Sequence, residues 1–145
     1  MIGLISLMRM QPGVGVIEIG WVVFSPLLQR TRGATETIFL LLRHCFDLGY
    51  RRVEWKCDSL NAPSRAAAER FGFSYEGTFK KCIVYKGRSR DTAWFAVVHD
   101  EWDGYLRSGY ERWLADENHD ETGQQRRAMR EFHTEAKRLR ADSRS

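Results

Sequence analysis

With 145 residues, 43% of them hydrophobic, the chain has material for one compact α/β core and too little for two ordinary domains. A formal charge of +4 suits anionic ligands in general without choosing nucleic acid over a phosphorylated small molecule. Cys45, Cys57 and Cys82 are odd in number, form no C-x-x-C pair and stand at no metal-ligand spacing from the four histidines, which argues against a disulfide framework or a metal site and for a reduced, cytoplasmic setting.

The run from Met1 to Met8 is apolar but short, lacks a basic leader and soon meets Arg9 and Pro12, so neither a signal peptide nor a membrane-spanning helix is expected. Residues 2–10 and 14–24 are rich in β-branched and aromatic side chains. The Gln11-Pro12-Gly13 turn between them predicts a hairpin. On its second strand, period-two spacing sets Ile17, Ile19, Trp21 and Val23 on one face and leaves Glu18 among apolar neighbours on the other.

Pro26 ends that strand. After the basic stretch Gln29-Arg30-Thr31-Arg32-Gly33, Ile38, Leu41, Leu42, Cys45 and Phe46 recur at helical spacing, with Gly49 placed to close the helix. Residues 52–57 read as a strand with Val53, Trp55 and Cys57 facing one way. Pro63 then opens a short helix carrying Ala66 to Ala68, which Gly72 ends. Two more strands follow, over 73–85 and 91–98, joined by a basic turn at 86–90. Trp102, Leu106, Tyr110 and Trp113 line a further helix.

The folded core is expected to end near Leu114, giving a domain over 1–114 and a charged tail over 115–145. Met129, Phe132 and Leu139 form one weak helical stripe in that tail, so a helix is the alternative to a solvated segment. The fold class is therefore α/β, a largely antiparallel sheet flanked by helices in the order β-β-α-β-α-β-β-α.

One polar loop lies directly between a strand and the longest helix. The amides from Gln29 to Ala34 can converge there on an anion, helped by the helix dipole and by Arg30 and Arg32, although basic turns before helices are common. A second constellation is Asn61-Ala-Pro-Ser64, then Arg70-Phe-Gly72-Phe73, Glu76-Gly77 and Arg90-Asp91-Thr92. Together with Glu18-Ile19-Gly20 and Ala34-Thr35-Glu36, this ordered set resembles the GNAT superfamily of N-acetyltransferases. It is most similar to the branch that contains the ribosomal-protein N-terminal acetyltransferases, and the resemblance extends over residues 2–114.

The resemblance implies acetyl-CoA as cosubstrate, bound where the second strand splays from the strand at 52–57, with no metal. It implies backbone groups near Val22 and Phe24 for the pantetheine amides, Gln29, Arg30, Thr31, Arg32, Gly33, Ala34 and Thr35 for the pyrophosphate, and Asn61 and Ser64 for the thiol end. An acceptor amine, on a protein N-terminus or a small molecule, would attack the thioester directly. Glu18 is the candidate base, and Ser64 the candidate donor to the departing thiolate. Each has a plainer alternative: Glu18 as a carboxylate paired with lysine or arginine, Ser64 and Asn61 as helix-entry residues. Trp21, Trp55 and Trp94 are assigned to packing, Cys57 and Cys82 to buried thiols, and His44 to a structural place among apolar neighbours.

The pattern departs from the family in two places. Arg32 stands where the loop normally has a glycine, with Gly33 one position later. A family domain also has a strand, a helical segment and another strand before the hairpin, so the chain reads as N-terminally truncated. An edge left open in that way invites dimerisation. A non-catalytic remnant or CoA-binding module is the competing function. Nucleic-acid binding through the turn at 86–90 is weaker, because the tail holds as many acidic as basic residues.

Overall fold

The computed structural model describes residues 1–143. Strands β1 (Gly3–Gln11) and β2 (Val16–Phe24) form the expected hairpin, closed by a 3₁₀ turn at Pro12–Val14 and by Gly15 at φ +70°, whose N–H reaches Pro12 O at 3.1 Å. Helix α1 (Arg32–Asp47) leads to β3 (Arg52–Asp58), α2 (Ala62–Arg70), β4 (Ser74–Tyr85) and β5 (Arg88–Val98). A helical run then passes from α3 (His99–Glu101) through a π turn (Trp102–Leu106) into α4 (Arg107–Leu114), and α5 (Met129–Asp142) follows a loop. The five strands make one sheet in the order β1-β2-β3-β5-β4, antiparallel except between β2 and β3.

That parallel pair is the feature that makes a site. It runs only from Val16 opposite Arg52 to Glu18 opposite Glu54, and the two strands then separate. β2 is bent away at a bulge, where Trp21 and Val22 oppose a single residue of β1 and Trp21 takes φ +51°. A bulge shifts the alternation of the strand beyond it. Ile17 and Ile19 are buried as expected, but Trp21 is 69% exposed rather than packed with them. A second bulge puts Arg9 at φ +47° on β1.

The core lies on one face of the sheet. Val53, Trp55 and Cys57 of β3 and Ala93, Phe95 and Val97 of β5 meet Ile38, Leu42 and Cys45 of α1 and the stripe Trp102, Leu106, Tyr110 and Trp113. Tyr110 donates its hydroxyl to Phe71 O at 2.7 Å, tying this stripe to the end of α2. The opposite face of β3 presents Arg52, Glu54, Lys56 and Asp58, the alternation expected of a strand with one apolar side.

The segment beyond Leu114 does not project into solvent. In α5, Met129, Phe132, His133 and Ala136 are buried at i, i+3, i+4 and i+7, the spacing of a helix face seated on the domain. Leu139, expected in that stripe, is 64% exposed, while histidine and alanine complete it. His133 enters a slot between two glycines: a Cβ on Gly109 would lie 2.6 Å from its Cδ2, and one on Gly72 would lie 3.2 Å from its Cε1. Asn118 organises the preceding loop by donating to Trp113 O at 3.1 Å and accepting from Arg127 N at 3.0 Å.

Candidate active site

The parting of β2 and β3 opens a cleft of about 890 Å³ that takes in Glu18, Gly20 and Val22 on one wall, Lys56 and Cys57 on the other, and Asn61 and Ser64 at the start of α2. This is within the size range of cofactor pockets. β4 and β5 supply the remaining wall through Ile83, Tyr85, Arg88, Arg90, Thr92 and Trp94.

Glu18 is 3% exposed and is held by two cations on one oxygen: Arg9 Nη1 at 2.7 Å and Lys56 Nζ at 3.0 Å from Oε2. The carboxylate is therefore ion-paired, not surrounded by apolar groups as the strand pattern implied. The bulge at Arg9 is what brings its guanidinium across the hairpin. Lys56 also pairs with Glu54 at 2.6 Å and lies 4.0 Å above the Trp94 ring. Burial opposes the charge of Glu54, yet hydrogen bonds from Lys56 and Arg52 overcome it and hold its carboxyl below the usual range. Arg52 continues the chain to Glu76.

At the other end, Asn61 caps α2 by accepting from Ser64 N–H at 3.1 Å. The Ser64 hydroxyl accepts from Trp55 Nε1 at 3.1 Å and so is fixed against the core while still lining the cleft. Its own proton remains free to donate. Cys57 lines the same cleft, and burial raises its thiol.

The turn before α1 is only partly available to an anion. Thr31 caps the helix by accepting from Ala34 N–H at 3.2 Å, and the amides of Gln29 and Thr31 bond to Ser25 O and Leu28 O. The amides of Arg32 and Gly33 belong to the first helical turn, where no intrahelical acceptor exists. Arg30, at φ +62°, is exposed. Arg32 instead points to the chain beyond α4, bonding Leu114 O and, at 2.8 Å, Asp116 Oδ1. Thr35 is fully buried and its hydroxyl accepts from Arg70 Nη2 at 2.9 Å, so its side chain faces inward. Gln29 folds back on Phe24 O at 2.7 Å, joining the end of β2 to the turn.

Several expectations change with this geometry. Trp55 is core, but Trp94 is only half-buried and forms cleft wall. Cys82 and His44 are exposed, Cys82 in the stretch 79–85 of β4 that is exposed throughout and His44 on the outer face of α1. Arg9, Lys56, Arg88 and Arg90 were not foreseen as cleft residues. Lys56 and Asp58 were legible in part, since a strand reading Arg-Val-Glu-Trp-Lys-Cys-Asp alternates charge with apolar bulk.

Among the described residues no group of histidine, cysteine and acidic side chains could hold a metal, and no helix is long and apolar enough to cross a membrane. The chain is similar to the N-acetyltransferase YnaD of Bacillus subtilis (strain 168), 33% identical over 92 residues that make up 63% of this chain and 54% of that protein. A crystal structure of a GCN5-related N-acetyltransferase from Brucella melitensis superposes with a TM-score of 0.88 at 52% identity, over 91% of this chain and 60% of the other. The microcin C7 self-immunity acetyltransferase MccE, solved in complex with acetyl-CoA and AMP, superposes with a TM-score of 0.60 at 28% identity, over 66% of this chain and 53% of its own. The chain thus spans a little over half the length of these relatives. A family model described as an acetyltransferase (GNAT) domain matches residues 1–74, half of the chain, and with the mostly antiparallel sheet and its splayed parallel pair this establishes that the chain belongs to the GNAT acetyltransferase family.

Proposed function

We propose that the chain supplies the acetyl-CoA cleft of an N-acetyltransferase that moves an acetyl group directly to a primary amine, on a protein N-terminus or a small molecule. The observation that carries this reading is the parting of β2 and β3 immediately after Glu18 and Glu54, between the capped start of α1 and the capped start of α2. Such a cleft suits a long thioester whose phosphates meet helix-start amides. In this reading the backbone of Val22, which lines the cleft, and of Phe24 further along β2 take the pantetheine amides, Arg30 and the amides of Arg32 and Gly33 serve the phosphates, and Asn61 and Ser64 serve the thiol end. The free, unpaired cysteines suit a reduced cytoplasm.

In this reading Glu18 receives the amine proton on Oε1, the oxygen that neither Arg9 nor Lys56 occupies. The carbon–nitrogen bond forms as the carbon–sulfur bond breaks. Ser64 donates a hydrogen bond to the leaving thiolate, which then takes a proton from water, and the α2 N-terminus stabilises the passing negative charge.

A cofactor-binding module without transfer is the second reading. It is favoured by Glu18, whose two ion pairs compete with its service as a base. Calorimetric titration with acetyl-CoA, followed by thiol release in the presence of amines, separates the two. Binding with amine-dependent release supports transfer; binding without release for any amine supports the module; absence of binding by the folded chain overturns both.

A further inference from the structure

The wall of the cleft formed by β5 holds more positive charge than the cleft's carboxylates use. Four cations line the cleft, Arg9, Lys56, Arg88 and Arg90, against the two acids Glu18 and Asp58. Arg9 and Lys56 pair with Glu18 and Arg88 pairs with Asp58, while Arg90 makes no ion pair among the described residues. Its Nε is buried with no hydrogen-bond partner, and so is Nε1 of Trp94, on the same face of β5. Both groups only donate. Buried donors of this kind are ordinarily paired, so two along one cleft wall call for oxygen acceptors.

The surroundings have the same sign. Lys80, Lys81 and Lys86 are exposed on the hairpin that carries this wall. The nearby carboxylate Asp91 is turned to the backbone, accepting from Lys81 N–H at 2.7 Å. Arg90 lines the same cleft as Cys57, Asp58, Asn61 and Ser64.

We infer that the acceptor amine of this cleft carries an anionic oxygen group, a carboxylate or a phosphate, and that Arg90 receives it. The inference rests on the acetyltransferase reading above and names its substrate class. A single charge-assisted hydrogen bond to the guanidinium discriminates an anionic amine from a neutral one by about tenfold or more. Cationic amines are disfavoured by the same field.

The test compares O-phosphoethanolamine, β-alanine, ethanolamine and 1,4-diaminobutane as acceptors for the full chain with acetyl-CoA, in wild type, Arg90→Gln and Arg90→Lys. One of the two anionic amines is expected to exceed ethanolamine in kcat/KM by about tenfold or more, through KM, with Arg90→Gln removing the preference and Arg90→Lys keeping part of it. Which of the two leads tells phosphate from carboxylate. Equal or better use of ethanolamine or diaminobutane, or a preference that survives Arg90→Gln, overturns the inference. Calorimetric binding of the same amines to CoA-loaded protein gives the answer independently of turnover. Loss of the anionic preference there also overturns it, while the preceding CoA titration reports separately on the cleft.

Discussion

Lys56 Nζ lies 3.0 Å from Oε2 of Glu18, which with Glu54 forms the last paired position before β2 and β3 separate, two residues short of Lys56. The ion pair joins the two strands where their backbone ladder stops, so it both closes the base of the cleft and positions the candidate base. Replacing Lys56 with Met leaves the buried carboxylate with Arg9 alone. Removing one partner of a buried ion pair is costly, and here the second cation softens the loss to about 1–3 kcal/mol, measurable by urea unfolding. Glu18→Gln removes the proton acceptor instead: transfer is expected to fall by about a hundredfold or more with acetyl-CoA affinity retained. Equal loss of affinity and rate would make Glu18 a structural residue.

Ser64 has two roles that one substitution separates. Ser64→Ala deprives Trp55 Nε1 of its acceptor, which costs about 1–2 kcal/mol in stability. It also removes the donor to the thiolate, so kcat is expected to drop by about tenfold or more at a temperature where the variant is fully folded. A stability change with kcat unaltered would leave only the packing role.

Arg30 and Arg32 look equivalent in sequence and are not equivalent in space. Arg32 holds Leu114 O and Asp116, whereas Arg30 is exposed at the turn. Arg30→Ala is expected to weaken acetyl-CoA binding by about three- to tenfold. Arg32→Ala is expected to change binding little and stability by no more than about 1 kcal/mol, since its acidic partner is solvent-exposed. Calorimetry and thermal unfolding of both variants check this directly.

The docking of α5 has a pH signature. Burial in the slot between Gly72 and Gly109 lowers His133 from its ordinary 6.5 to about 4. The folded state then binds fewer protons than the unfolded state between those values. The neutral histidine therefore contributes stability that is full above pH 6.5 and is lost as pH falls towards 4, by up to about 3 kcal/mol. His133→Gln is expected to flatten this part of the stability profile. Gly109→Ala, which forces a Cβ against the ring, is expected to destabilise by about 1–3 kcal/mol at every pH.

Most elements were readable in the sequence because their signals are local: the Pro-Gly turn of the hairpin, Asn61 as a helix-entry cap, and the stripe from Trp102 to Trp113. What escaped was set by long-range pairing. Period-two reading cannot register the bulge that turns Trp21 outwards, nor the Arg9 bulge that carries a cation to Glu18, because both depend on how β1 and β2 are aligned. The α5 stripe was legible only through Met129 and Phe132, because His133 is apolar only in its slot and Ala136 is too small to register as core. The Gln29–Thr35 stretch was recognised as a turn before a helix, but the bond from Arg32 to the chain beyond α4 crosses more than eighty residues.

Amide chemical-shift mapping of the full chain during acetyl-CoA addition is the most direct test of the cleft. The expected result is saturable shifts grouped at 22–24, 29–34 and 61–64, the three segments assigned to the cofactor. No saturable shifts in a folded protein, or shifts confined to the surface between α2 and α5, would contradict the assignment.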